Sequence, residues 1–172
     1  MEHSNLIQLL VEKGGVVDYG KVQREIEKHG WFGFHIGSGD ADKTEFEYTV
    51  GLTQRNLPEL IVFGLPWPFG HQVLRCAIDE IGRREPSDGM RLDRVLQNYP
   101  VVLRALPDKP ELRNSIACQT FSFYEDQVST TWGWPRFMQL VWPDKTGRFP
   151  WQADCDLLSM LCQSRILPWW TQ

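Results

Sequence analysis

The chain has 172 residues, of which 42% are hydrophobic and 23% charged, and it carries a formal net charge of −4. This length suits one domain, residues 1–172, that buries roughly two thirds of its unfolded surface, and the composition is typical of a globular protein. The slight acidity disfavours a broad phosphate-binding surface, so we expect no nucleic-acid partner.

The N-terminus and the cysteines indicate a cytoplasmic protein. The segment from Met1 to Lys13 has no basic leader and no small-residue cleavage site, which argues against a signal peptide. No apolar run reaches the roughly 18 residues of a membrane span, so we expect no membrane association. The four cysteines lack CxxC spacing and are predicted to be free thiols: Cys76, Cys118, Cys155 and Cys162.

Two helices and two strands are predicted in the first third of the chain. Ser4 can cap a short helix, and a second helix runs from Asp18 to a C-terminal stop at Gly30. Aromatic and β-branched residues predict a strand over 31–36. Alternating apolar residues over 46–52 predict another strand with one solvated face, and the two strands are expected to pair.

A central strand and a helix follow. Residues 60–65 are continuously apolar, which is typical of a strand buried on both faces. A helix is predicted after Pro66 and Pro68, because apolar residues then recur at helical spacing: Val73, Leu74, Ala77, Ile78 and Ile81.

The second half of the chain mixes both kinds of element. We predict a short helical piece over 92–96, a strand over 100–106, a helix over 111–118, a strand over 137–142 and a final helix over 154–165. Helices placed between and around antiparallel strands predict a single compact α+β domain with a mainly antiparallel sheet and packed helices.

Known catalytic motifs are absent from the sequence, so catalytic residues stay unassigned. There is no P-loop, nucleophile elbow, HExxH or EF-hand pattern. His29, His35 and His71 lie in different contexts, and neither a metal site nor a cofactor is expected. Glu45 and Glu47 share one side of their strand, where two carboxylates could divide acid and base roles, but a solvated face is the favoured interpretation.

The loop after the last predicted strand holds most of the binding candidates, namely Trp142, Asp144, Arg148, Phe149 and Trp151. Asp144 and Arg148 flank a turn, so the first interpretation is a bidentate carboxylate–guanidinium pair across the loop. In the functional interpretation, Arg148 and the surrounding aromatic rings contact an anionic or planar ligand. The sequence leaves both interpretations open.

Several segments together resemble a known family over about residues 20–168. They are His29–Trp31, Tyr48–Leu52, Pro58–Pro66, Tyr99–Val101, Gln139–Asp144 and Gly147–Trp151. In order and spacing they are similar to a bacterial family catalogued as domain of unknown function 4262. The resemblance implies one bacterial cytoplasmic domain, and it supplies no catalytic residues.

Two hypotheses for the function follow. The first is a protein-binding module of the bacterial cytoplasm, in its most specific form an immunity-type protein that neutralises a toxin, since catalytic motifs are missing and tryptophan is abundant. The alternative is an enzyme or small-ligand-binding protein with a pocket near Tyr48, His71, Asp144 and Arg148. The sequence does not determine the oligomeric state.

Overall fold

The computed structural model describes residues 17–37, 44–125 and 132–168, which fold into a six-stranded sheet with helices on both faces. The strands are β1 (Phe32–Ile36), β2 (Phe46–Val50), β3 (Glu59–Phe63), β4 (Arg91–Leu96), β5 (Tyr99–Ala105) and β6 (Phe137–Val141). The helices are α1 (Tyr19–His29), α2 (Phe69–Ile81), α3 (Cys118–Glu125) and α4 (Leu157–Gln163), with a 3-10 turn at Thr53–Arg55 and a π-helix at Leu112–Ile116. The predicted α+β class is confirmed.

The sheet has the strand order β1-β2-β3-β6-β5-β4. All neighbouring strands are antiparallel except β3 and β6, which run parallel from Glu59↔Phe137 to Val62↔Leu140. Parallel strands place their carboxyl ends at the same edge of a sheet. Helix α2 and the loop that follows β6 therefore both begin at this edge.

Helix α1 shows how local sequence sets the element boundaries. The Asp18 side chain accepts a hydrogen bond from the backbone N–H of Lys21 at 3.1 Å, and Gly30 ends the helix in the left-handed conformation at φ 83°. Val22 and Ile26, four residues apart, are its buried positions. The predicted helix from Asp18 to Gly30 is confirmed.

Each face of the sheet is covered by a hydrophobic cluster. One cluster joins α1 and α3 to the sheet face that carries Tyr48 and Phe63. The other joins α2 to the opposite face through Leu60, Val62 and Leu74. Since both faces are covered, all five residues of β2 are buried, and the predicted solvated face of this strand is wrong.

The segment 92–96 is a strand, not the predicted helical piece. It forms a hairpin with β5, in which Leu96 pairs with Tyr99 across a two-residue turn and Asn98 adopts φ 68°. Asparagine tolerates this left-handed conformation at the third position of a turn. Sheet pairing thus outweighs the weak local helical signal.

The other sequence predictions concern the final helix, the cysteines, membrane spans and the N-terminal helix. The final helix is shorter than 154–165, because Asp156 caps it and only Leu157–Gln163 is helical. The four cysteines are free, as predicted. None of the helices in the described ranges has the length and apolarity to cross a membrane. The helix predicted from Ser4 lies outside the described residues.

Candidate functional site

A buried carboxylate and a histidine meet between β2 and α2. The Oε1 atom of Glu47 lies 2.6 Å from Nδ1 of His71. The Glu47 side chain is 1% exposed, whereas that of His71 is 28% exposed. The favoured interpretation of Glu47 as part of a solvated face is therefore wrong, because α2 covers that side of β2.

Gly33 in β1 makes room for this pair. A Cβ atom added to Gly33 would lie 2.5 Å from Glu47 Oε1 and 3.4 Å from His71 Nδ1. An ordinary side chain does not fit at that separation. Glycine has no side chain, so it lets another group approach the strand backbone closely. Gly33 is thus a structural requirement of the Glu47–His71 contact.

Trp31 holds the imidazole from a second direction. Its ring stacks on that of His71 with centroids 5.0 Å apart and an interplanar angle of 27°. When Glu47 is ionised it accepts the Nδ1–H, which leaves the lone pair of a neutral imidazole on Nε2. Carboxylate and indole together fix both the orientation and the tautomer of His71.

A cleft of about 480 Å³ opens beside His71. Its walls come from α1, β1, the residue before β1, and α2, and consist of Glu25, His29, Trp31, Phe32, Gly33, His71, Gln72, Arg75, Cys76 and Asp79. This volume is in the range of small-molecule sites. A larger groove of about 570 Å³ between α2 and β4 is lined by charged residues and Cys76, without a buried carboxylate or an aromatic ring, so the cleft is the better candidate.

The structure does not bring the four residues of the predicted pocket together. Tyr48 is fully buried on the face covered by α1 and α3, where burial raises the pKa of its hydroxyl. Successive residues of a strand point to opposite faces, so Tyr48 and Glu47 point to opposite sides of the sheet. Of the four, only His71 lines the cleft; Asp144 and Arg148 lie in the loop after β6.

Asp144 organises that loop through backbone contacts. Its Oδ1 accepts hydrogen bonds from the N–H groups of Thr146 at 2.8 Å and Arg148 at 3.0 Å, and Oδ2 accepts from the N–H of Asp156 at 2.9 Å. The Arg148 guanidinium instead donates to the carbonyl oxygen of Asp154 at 3.1 Å. The predicted bidentate pair is wrong, because the tight turn presents backbone donors to the carboxylate first.

The aromatic candidates of the loop separate into two groups. Trp142 turns toward the sheet, where its Nε1–H donates to the carbonyl oxygen of Phe63 at 2.8 Å. Phe149 and Trp151 stack on each other with centroids 4.8 Å apart, and the Arg104 guanidinium lies 5.4 Å from the Trp151 ring centroid. These contacts account structurally for all three rings.

Acidification should test the role of Asp144. The N–H of Asp156 and the hydroxyl of Thr146 hold the pKa of Asp144 well below its usual range. A carboxyl whose pKa falls on folding stabilises the protein above its unfolded pKa, and this stabilisation is lost as pH drops from about 5 toward 2. Urea unfolding at pH 7 and pH 3 should show a smaller acid loss in Asp144→Asn than in wild type. An identical acid loss in both proteins would contradict the assignment.

The sequence contained one overlooked signal for the cleft. Glu47 lies in a segment whose flanking residues are apolar, and the strand expected to pair with it carries Gly33. A polar residue of this kind, with a glycine in the neighbouring strand two positions from its directly paired residue, points to a buried, partnered carboxylate. Across the described ranges, no group of three or more His, Cys, Asp or Glu side chains is placed to hold a metal ion.

The comparisons with known proteins give a family and no residue roles. No curated protein and no solved structure matches the chain. A family model matches residues 25–156, which include Trp31, Gly33, Glu47, His71 and the loop after β6. Since the match covers more than half of the chain, this protein belongs to the family described as Domain of unknown function (DUF4262).

Proposed function

We propose that the protein is an enzyme that acts on a small molecule bound in the cleft, with His71 Nε2 as its general base. The observation that carries this proposal is the 2.6 Å contact between His71 and a Glu47 side chain that is 1% exposed. A positioned imidazole backed by a carboxylate is a recurrent arrangement for proton transfer.

The geometry supports a separate role for each residue of the site in the proposed proton transfer. Nε2 takes a proton from the bound molecule or from a water beside it, and Glu47 stabilises the imidazolium that results. Trp31 keeps the ring from rotating away from the cleft. The same nitrogen can then return the proton to the product.

Acylation by diethyl pyrocarbonate tests the reactivity of Nε2 without knowledge of the substrate, because this reagent attacks the lone pair of neutral imidazole. Peptide mass spectrometry should show that His71 is modified faster than His29 and His35. Glu47→Gln should slow modification of His71 roughly tenfold, as expected for loss of a charge-assisted hydrogen bond worth about 1.5 kcal/mol.

Glu45→Gln is the matched control. Glu45 Oε2 lies 3.8 Å from His35 Nε2, so this change alters the surroundings of His35 and leaves the acylation rate of His71 unchanged. If His71 reacts no faster than His29 in the wild-type protein, the general-base proposal fails.

The second candidate function is protein binding in the bacterial cytoplasm, and α4 favours it. Leu157, Leu158 and Leu161 are 62%, 74% and 51% exposed. Leu161 lies four residues after Leu157 and three after Leu158, which places both beside it on one face of the helix. Contiguous exposed apolar residues are typical of interaction sites. The partner would be a folded protein with a complementary apolar surface; a toxin neutralised by this chain belongs to that class.

Co-purification with the product of the neighbouring gene tests this second function. We expect Leu158→Glu to abolish capture of that protein, because a buried carboxylate without a partner is costly in an apolar interface. His71→Gln is the control and should leave capture intact. Recovery of equal amounts with wild type and Leu158→Glu would remove α4 from the proposal.

A further inference from the structure

We infer that the molecule held in the cleft is a small organic cation, an amine or amidine whose N–H groups face the cleft walls. This inference rests on the proposed function and names the class of its substrate. It is carried by three properties of the walls: their hydrogen-bond acceptors, their net charge and their aromatic ring.

Two side chains that line the cleft, His71 and Asp79, offer it hydrogen-bond acceptors. Since Nδ1 of His71 is engaged by Glu47, the ring offers the cleft the lone pair of Nε2. The carboxylate of Asp79, two helical turns along α2, has no hydrogen bond or ion pair within the described part of the chain. The guanidinium of Arg75 already donates from Nη2 to Gln72 Oε1 at 2.9 Å. A ligand that supplies donors suits these walls.

The charges around the cleft also favour a cationic ligand. Glu25 and Asp79 line it, and the Glu25 carboxylate lies 3.5 Å from Nε2 of the lining residue His29. The buried Glu47 lies against Gly33, and Arg75 is the only permanently charged cation among the lining residues. The Oε2 atom of Glu47 is buried and has no hydrogen-bond partner within the described residues. Buried negative charge in a low-dielectric wall attracts cations and repels anions.

Trp31 adds the third property. Its indole lines the cleft and stacks on the imidazole of His71. A cation within about 6 Å of an indole ring is attracted by the electron density of the ring. Since the imidazole covers one face of the indole, a cation in the cleft contacts the face that is left open.

Three probes of matched shape test the charge preference: benzylammonium, benzyl alcohol and benzoate. The readout is the indole N–H signal of Trp31 in a proton–nitrogen correlation spectrum, assigned with Trp31→Phe. We expect benzylammonium to shift this signal with the lowest Kd and benzoate to leave it unmoved. Asp79→Asn should weaken benzylammonium binding about threefold, the effect of one exposed charge. Asp93 lines only the groove between α2 and β4, so Asp93→Asn should not change benzylammonium binding.

The outcomes separate this inference from the function on which it rests. Binding of benzoate as tight as that of benzylammonium, or equal affinity in wild type and Asp79→Asn, overturns the cationic ligand. If no probe moves the Trp31 signal while His71 remains the fastest histidine to be acylated, the ligand class is wrong and the general base stands. If His71 is not the fastest histidine to be acylated, the proposed enzymatic function itself is wrong.

Discussion

Replacing Glu59 with alanine is expected to lower the free energy of unfolding by about 4 kcal/mol or more, since each buried donor left unpaired costs roughly 1–3 kcal/mol. Glu59 begins β3 and is completely buried. Its carboxylate accepts hydrogen bonds from two threonine hydroxyls, two backbone N–H groups and one tyrosine hydroxyl, which belong to Thr49, Gly51, Thr53 and Tyr124.

These contacts explain the size of the effect. They tie the end of β2, the 3-10 turn and α3 to a single side chain. Burial raises the pKa of Glu59, and the hydroxyl and N–H donors of Thr49 and Thr53 oppose that rise. Alanine removes the acceptor and leaves a cavity lined by unpaired hydrogen-bond donors.

Urea unfolding measures the loss of unfolding free energy in Glu59→Ala. Glu59→Gln keeps the shape and one acceptor oxygen, so it should cost less than alanine. Glu45→Gln, with a side chain 39% exposed, is the surface control and should change stability by less than about 0.5 kcal/mol. A Glu59→Ala protein as stable as this control would show that the network contributes nothing.

Leu74→Ala should have the second large effect, a loss of about 2–5 kcal/mol. Leu74 is fully buried on α2 and packs in the cluster that contains Leu60 and Val62 of β3. Truncation removes apolar contacts and leaves a cavity that close-packed neighbours fill only in part.

Thermal and urea unfolding of matched variants checks this value. Leu158→Ala makes the same chemical change on α4 at a residue that is 74% exposed, and it should be close to neutral. If both variants unfold at the same urea concentration as wild type, helix α2 does not depend on Leu74 for its packing on the sheet.

The candidate cleft illustrates why function was harder to predict than fold. His71 was among the predicted binding residues, but the sequence placed it with Tyr48, Asp144 and Arg148. The residues that surround it, including Trp31, Gly33 and Glu47, come from two other strands and the segment before them. The predicted pairing of β1 with β2 and the docking of α2 bring them together, but residue spacing does not show which side chains then meet.

The loop after β6 shows a different limit of prediction from sequence. Its aromatic rings pack against the sheet and against each other, since Trp142 donates to Phe63 and Phe149 stacks on Trp151. The partner of Asp144 was wrong, because a carboxylate in a tight turn meets backbone N–H groups before it meets a flexible guanidinium. Composition predicts burial better than it predicts individual partners.

The amino-acid sequence was enough to predict the boundaries of α1, the central position of β3, the helical face of α2 and the membership in the family, because caps, apolar runs and motif order are local properties. The assembled fold was needed to show that 92–96 is a strand, that both faces of β2 are buried and that Glu47 meets His71. A strand gains its hydrogen bonds from a neighbour distant in sequence, and the burial of a side chain depends on the element packed over it. These properties arise only when the whole sheet and its covering helices have assembled.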